Sequence, residues 1–129
     1  MDATTGFLSL LALTVALLGA VTWTGFTARL GLHLALVAAT FASLAGAIVF
    51  ALRLGELYDL ESAGAITPIH LTLAKVATAA YLLPLVTGVQ TLLDRSRRRR
   101  HKLAAFVALG LTLASTVTGA WMLLAAERL

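Results

Sequence analysis

The 129-residue chain contains no cysteine, only two prolines and only six acidic residues. Without cysteine it can form no disulfide, no thiolate metal site and no covalently attached c-type haem. The acidic residues lie in predicted loops or at helix ends, so the apolar segments hold no carboxylate pair and no nucleophile with a base. We therefore expect no enzymatic activity. Small multidrug transporters of similar length depend on a membrane-embedded carboxylate, which this chain also lacks.

Hydrophobic residues make up 60% of the chain, whereas soluble domains contain about 45–50%. The polar residues are confined to short stretches, which is typical of an integral membrane protein and leaves no room for a second domain. The net charge of +4 does not indicate nucleic-acid binding. Half of the basic residues lie in one segment between two apolar runs, as in a cytoplasmic loop that faces anionic lipid; they are Arg95 and Arg97 to Arg100.

Four apolar runs are long enough to cross about 30 Å of hydrocarbon, which takes about 20 helical residues. The short loops between them favour an all-α, integral membrane, up-down four-helix bundle forming a single domain. The N-terminal run lacks a positively charged leader, so we interpret it as the first span rather than as a cleaved signal peptide. The four predicted spans cover residues 5–26, 30–52, 68–93 and 103–126.

The charges in the loops predict an orientation. The loop between the third and fourth spans, DRSRRRRHK, is strongly basic and is expected in the cytoplasm. The loop between the second and third spans carries Glu56, Asp59 and Glu61 and is expected outside. Both termini then lie outside, as in a multi-pass protein of the bacterial inner membrane.

The third and fourth spans share an internal pattern. His70 is followed eighteen residues later by Gly88, with Thr87 before it, and His101 is followed eighteen residues later by Gly119, with Thr118 before it. Eighteen residues are five helical turns, so each histidine shares a face with its distant glycine. An ancient duplication and a chance echo between alanine-rich helices both explain the pattern. Pro84 is expected to kink the third span.

Two of the three histidines, His33 and His101, begin spans that run in the same direction and are expected near the inner surface. Imidazoles at similar depth on the second and fourth spans are suited to ligate the iron of one b-type haem. Basic residues on the same side are candidate partners for its propionates, namely Arg29, Arg97 to Arg100 and Lys102. The depths match only if the last helix begins before His101, with Ser96 as a candidate N-cap. The alternative is that both histidines are ordinary polar residues of the interface.

His70, Lys75 and Tyr81 form a possible second site toward the outer surface. His70 has no histidine partner there, and its nearest polar candidates in the sequence are Tyr58, Asp59 and Glu61. A lysine within a span is costly and often functional, but Lys75 is close enough to the helix start for its long side chain to snorkel outward. Tyr81 is expected either to form a hydrogen bond inside the bundle or only to pack.

The stretch from Pro68 to Leu124 resembles the last two helices of a small bacterial membrane-protein family of unknown function, which includes CtaM-like factors for haem-copper oxidase biogenesis. The matching elements are His70 with Leu73, Ala74 and Val76, then Pro84-Leu85, Arg100-His101-Lys102 with Ala104, and Thr118-Gly119; His33 resembles a histidine after the family's first loop. The family often has another histidine near the outer end of its second helix, which this chain lacks.

The resemblance implies a haem-associated protein of the respiratory chain that supports assembly or function of a haem-copper terminal oxidase. The alternative is a cofactor-free structural accessory subunit of a larger respiratory or photosynthetic membrane complex. A lipid bilayer and a larger membrane complex are the expected partners, and nucleic acid is not. The oligomeric state stays open.

Overall fold

The computed structural model describes all 129 residues, and nearly all of them are helical. Two single-turn 3₁₀ helices cover Leu60–Ala63 and Arg95–Arg97, and two short strands form a small sheet, β1 (Tyr58–Asp59) and β2 (Glu127–Arg128). The five α-helices are α1 (Ala3–Phe26), α2 (Leu30–Gly55), α3 (Ile66–Ala80), α4 (Leu82–Leu93) and α5 (Arg98–Ala125). Four helical segments are long and apolar enough to cross a membrane, with α3 and α4 counted as one. The expected all-α class with four spans is confirmed.

The helical span that contains α3 and α4 is interrupted at Tyr81. Pro84 has no N–H to donate to Ala80, and its ring crowds that carbonyl, so regular α-helical bonding fails there. The chain adjusts with a tighter bond from the Tyr81 N–H to the Thr78 carbonyl, 3.3 Å long. The helix assignment is interrupted three residues before Pro84, and the expected kink stays a prediction.

The first compact unit, Met1–Tyr58, is a hairpin of α1 and α2. The contact between its helices is made by small polar side chains, because Thr14 is fully buried and its hydroxyl lies 2.8 Å from that of Ser43. Both hydroxyls also reach the carbonyl of Leu10, at 2.7 and 3.1 Å. Small residues let membrane helices approach closely, and shared hydroxyl bonds hold them together where water is absent.

A three-residue connection, residues 27–29, closes this first hairpin. Ala28 adopts a left-handed backbone conformation with φ of 55°, which is unusual for a residue with a Cβ. This conformation of Ala28 reverses the chain within three residues, so the end of α1 and the start of α2 stay adjacent. His33 is therefore placed beside the last turns of α1.

The second unit, Asp59–Leu129, packs the span of α3 and α4 against α5. Alanines line this contact, with Ala77, Ala80 and Ala108 all buried. At its centre the Tyr81 hydroxyl lies 2.8 Å from that of Thr112. Since the Thr112 hydroxyl donates to the Ala108 carbonyl, Tyr81 is the donor of the bond between them. Tyr81 thus forms a buried hydrogen bond.

The last helix begins earlier than the predicted span. α5 starts at Arg98, and a 3₁₀ turn precedes it, so His101 lies within the first turn. The expectation of Ser96 as the N-cap is wrong, because Ser96 is a donor: its backbone N–H and hydroxyl both bond to the Asp94 carboxylate, at 3.0 and 2.7 Å. Asp94 caps the 3₁₀ turn, and α5 has no side-chain cap of its own.

Candidate functional site

His33 begins α2 and contacts the end of α1. Its Nδ1 lies 3.1 Å from the hydroxyl of Thr24 and 3.1 Å from the backbone carbonyl of Val21. The ring passes over Gly25, where an added Cβ would lie 3.5 Å from the His33 Cε1. Thr24 itself is 1% exposed, so a buried hydroxyl and a glycine of the neighbouring helix define the position of this imidazole.

His101 has the same environment in the second unit. Its Nδ1 lies 3.2 Å from the hydroxyl of Thr87 on α4. The next residue, Gly88, faces the ring, and an added Cβ there would lie 3.2 Å from the His101 Cε1. The short link between α4 and α5 brings these groups together, just as the first turn does for His33.

His70 repeats the arrangement at the other end of the second unit. Its Nδ1 lies 3.0 Å from the hydroxyl of Thr118 on α5, and the backbone carbonyl of Ser115 also accepts a hydrogen bond from the ring. Gly119 faces this imidazole most closely, since an added Cβ would lie 2.8 Å from the His70 Cε1. The loop residues Tyr58, Asp59 and Glu61, which the sequence suggested as partners, are not the ones that bond to it.

The three hydrogen bonds indicate which ring nitrogen carries the proton. The Thr87 hydroxyl donates to the Leu83 carbonyl, and the Thr118 hydroxyl donates to the Ala114 carbonyl. Each hydroxyl has only one hydrogen, so its oxygen must accept from the imidazole Nδ1–H. For His33 the inference is direct, because the Val21 carbonyl can only accept. In its neutral form, each of the three imidazoles therefore carries its hydrogen on Nδ1 and a lone pair on Nε2.

The basic residues proposed as propionate partners are exposed or half-buried. Arg29 lies over the ring of Trp23, 5.5 Å from its centre. The Arg97 side chain pairs with Asp94 at 3.5 Å. Arg100 is exposed and Lys102 is half-buried, on either side of His101. A cluster of positive charge thus precedes and flanks the start of α5, with one carboxylate in it.

That carboxylate has a lowered pKa. The Ser96 hydroxyl and backbone N–H donate to Asp94, and Arg97 adds an attractive charge, so the pKa of Asp94 falls below its ordinary value of 3.8. Asp94 is consequently ionised at neutral pH. It offsets one of the positive charges of the basic segment.

The residues of the possible second site lie at different levels of α5. His70 bonds to Thr118 and Tyr81 bonds to Thr112. Six residues of helix separate these partners, which is about 9 Å along the axis. Lys75 is exposed and forms no hydrogen bond or ion pair.

The sequence pattern singled out the residues of two histidine environments, His70, His101 and both Thr-Gly pairs, but related each histidine only to the glycine of its own helix. Each histidine meets the Thr-Gly pair of the other span: His70 meets Thr118-Gly119, and His101 meets Thr87-Gly88. The environment of His33 was missed altogether. The Thr-Gly dipeptide could have pointed to the His33 environment, because it also occurs at residues 24–25, as well as at residues 5–6.

No protein-family model, no curated protein and no solved structure matches the chain. No group of three or more histidine, aspartate or glutamate side chains comes together in the structure.

Proposed function

We propose that this multi-pass membrane protein is a haem-associated component of the respiratory chain in the bacterial inner membrane. It supports assembly or function of a haem-copper terminal oxidase. His33 and His101 are the residues that would hold a b-type haem through its iron. When bound, haem supplies either a one-electron carrier or a cargo for delivery to the oxidase.

The observation that carries this proposal is the shared protonation of the imidazoles. A histidine that binds iron through Nε2 almost always donates its Nδ1–H to a nearby oxygen, which fixes the ring and increases the basicity of Nε2. His33 donates to Thr24 and Val21, and His101 donates to Thr87. The donor set fits the chemistry of haem ligation before any haem is present.

The charge near each proposed ligand supports the same function. Arg29 lies four residues before His33 in the chain, and Arg97, Arg100 and Lys102 lie within four residues of His101. Guanidinium groups pair with carboxylates through two parallel hydrogen bonds, which suits haem propionates. Arg29, Arg97, Arg100 and Lys102 are the proposed propionate partners, and Arg97 also pairs with Asp94.

A visible spectrum tests this function. The full chain is purified in detergent, with and without added haem b, and the reduced-minus-oxidised spectrum is recorded. We expect a b-type band in the wild type that His33→Ala and His101→Ala each abolish. His70→Ala is the matched control and should retain the band. A folded wild type that takes up no haem at any concentration would contradict the proposal.

Lys75 favours the second function, a cofactor-free accessory subunit. It lies nine residues after the start of α3, about 13 Å along the helix, and it is exposed without a partner. A carboxylate of a neighbouring subunit would neutralise it within the membrane. If so, Lys75→Glu should release a co-purifying membrane subunit, whereas Lys75→Arg should retain it. A chain that purifies alone in mild detergent would argue against this function.

A further inference from the structure

Three Thr-Gly pairs each hold one imidazole of the neighbouring helix. We name these pairs the Thr-Gly cradles; they are Thr24-Gly25, Thr87-Gly88 and Thr118-Gly119. They occur in both compact units and at both ends of the second unit. Their recurrence suggests a common task that packing alone does not explain.

The threonine of each cradle directs the proton of the histidine. Its hydroxyl hydrogen is held by a carbonyl of its own helix, Leu83 for Thr87 and Ala114 for Thr118. The same applies to Thr24, which bonds to Ala20 and Val21. The hydroxyl can therefore act only as an acceptor toward the ring, which selects the Nδ1–H form.

The glycine of each cradle makes room for the ring. A Cβ would lie 2.8 Å from His70 at Gly119, 3.2 Å from His101 at Gly88 and 3.5 Å from His33 at Gly25. The first distance is shorter than side-chain contacts allow, and the second is tight. Without glycine at positions 119 and 88, the ring edge could not approach close enough to reach the threonine.

Other threonines in the spans show that the cradle is more than ordinary helix bonding. Thr22, Thr91 and Thr116 make the same bond to a carbonyl four residues earlier, yet no glycine follows them and no histidine bonds to them. Thr5-Gly6 provides the opposite comparison. Gly6 admits the ring of Phe50, and the Thr5 hydroxyl donates to the Asp2 carboxylate instead.

We propose that the Thr-Gly cradles are positioning elements that fix each imidazole with its proton on Nδ1, and that at His33 and His101 they so present Nε2 as the nitrogen that binds a ligand. The inference rests on the proposed function for the identity of that ligand, haem iron. The protonation itself is a property of the protein alone. This separation allows the two ideas to fail independently.

The test measures the proton position directly. The full chain, labelled with ¹⁵N-histidine, is studied in detergent at pH about 8.5, well above the ordinary histidine pKa of about 6.5. Long-range ¹H–¹⁵N correlations distinguish protonated from unprotonated ring nitrogens. We expect all three histidines to show Nδ1–H in the wild type. Thr87→Val should shift His101 toward Nε2–H, and Thr87→Ser should restore it.

Matched controls separate positioning from general stability. Thr91→Val removes a hydroxyl one turn away on the same helix and should leave His101 unchanged. Thr118→Val, with Thr116→Val as its control, should change His70 less, because the Ser115 carbonyl still accepts from that ring. Thr24→Val is the less sensitive variant, because the Val21 carbonyl still accepts from His33. Haem affinity should fall about 10-fold or more for Thr87→Val, as for other outer-shell partners of metal ligands.

The outcomes are distinct. An unchanged His101 signal in folded Thr87→Val would overturn the positioning role, whatever the haem spectrum shows. A shift of the His101 proton toward Nε2 in Thr87→Val supports that role. If the shift occurs in a protein that never binds haem, the cradles stand and the proposed function fails.

Discussion

Replacement of Gly119 by alanine is the sharpest test of how closely α5 approaches His70. The new Cβ would lie 2.8 Å from the His70 Cε1 and 3.2 Å from its Nε2. Both atoms belong to a rigid ring that is also bonded to Thr118, so the ring can move only by losing that bond. Overpacking of this kind costs about 1–3 kcal/mol, and alanine in a helix returns about 0.5–1 kcal/mol relative to glycine. We expect Gly119→Ala to be destabilised by roughly 1 kcal/mol.

The control is Gly110→Ala on the same helix. No atom of another helix lies within 4 Å of a Cβ at this position, so only the helix preference remains and the variant should gain about 0.5–1 kcal/mol. Reversible unfolding from a mild detergent into a denaturing one, followed by helical circular dichroism, measures the difference. The reasoning would be refuted if Gly119→Ala were as stable as Gly110→Ala.

The other two cradles extend this prediction into a series. At Gly88 the added Cβ would lie 3.2 Å from His101, so the ring must yield by a few tenths of an ångström. At Gly25 the distance to His33 is 3.5 Å, an ordinary contact. The loss of stability should therefore decrease from Gly119→Ala through Gly88→Ala to Gly25→Ala. A different order would show that ring contact does not determine the cost.

Three further predictions follow from single features of the structure. Tyr81→Phe removes the buried hydrogen bond to Thr112 and should lower the free energy of unfolding by about 0.6 kcal/mol, the average for such bonds between membrane helices. The same detergent unfolding measures it in a double-mutant cycle with Thr112→Val. Absence of coupling between the two variants would show that the bond is unimportant. The lowered pKa of Asp94 means that its contribution to stability is present above its unfolded pKa and is lost as the pH falls through the lower native pKa. Asp94→Asn should remove this acid dependence of thermal unfolding below pH about 4. An unchanged pH profile would contradict the role of Ser96 as donor. The cysteine-free chain permits labelling with a membrane-impermeant maleimide: Glu61→Cys should react in intact cells and Ser96→Cys only after permeabilisation, and the reverse result would invert the predicted orientation.

Much of the fold could be predicted because the bilayer imposes it. Apolar runs of about 20 residues must form helices in lipid, so the four spans were predicted almost to their ends. The start of α5 was missed because hydropathy marks where the apolar run begins, at Leu103, whereas the helix continues through four charged residues from Arg98. Local hydrogen bonds determine where the helical structure begins. Asp94 and not Ser96 is the capping residue, because the Ser96 N–H and hydroxyl donate and the Asp94 carboxylate accepts.

Less of the candidate site could be predicted. The sequence showed that His33, His70 and His101 begin spans, and helical spacing related two of them to distant glycines. It could not show that each histidine meets the Thr-Gly pair of the other span, because spacing within a helix says nothing about which partner faces it. The partner of His70 was expected in the charged outer loop, yet a neutral hydroxyl of α5 occupies that position. Lys75 and Tyr81 were grouped with His70 by sequence proximity, and the structure separates their partners.

The exchange of partners within the second unit has a mechanical consequence. His70 on α3 rests on α5 near its end, and His101 on α5 rests on α4 near its end. A slip of α5 by one helical turn, about 5.4 Å, would carry both rings off their glycines at once and onto positions that bear a Cβ. The two ring contacts, near opposite ends of the hairpin, therefore fix the register of α5 against α3 and α4.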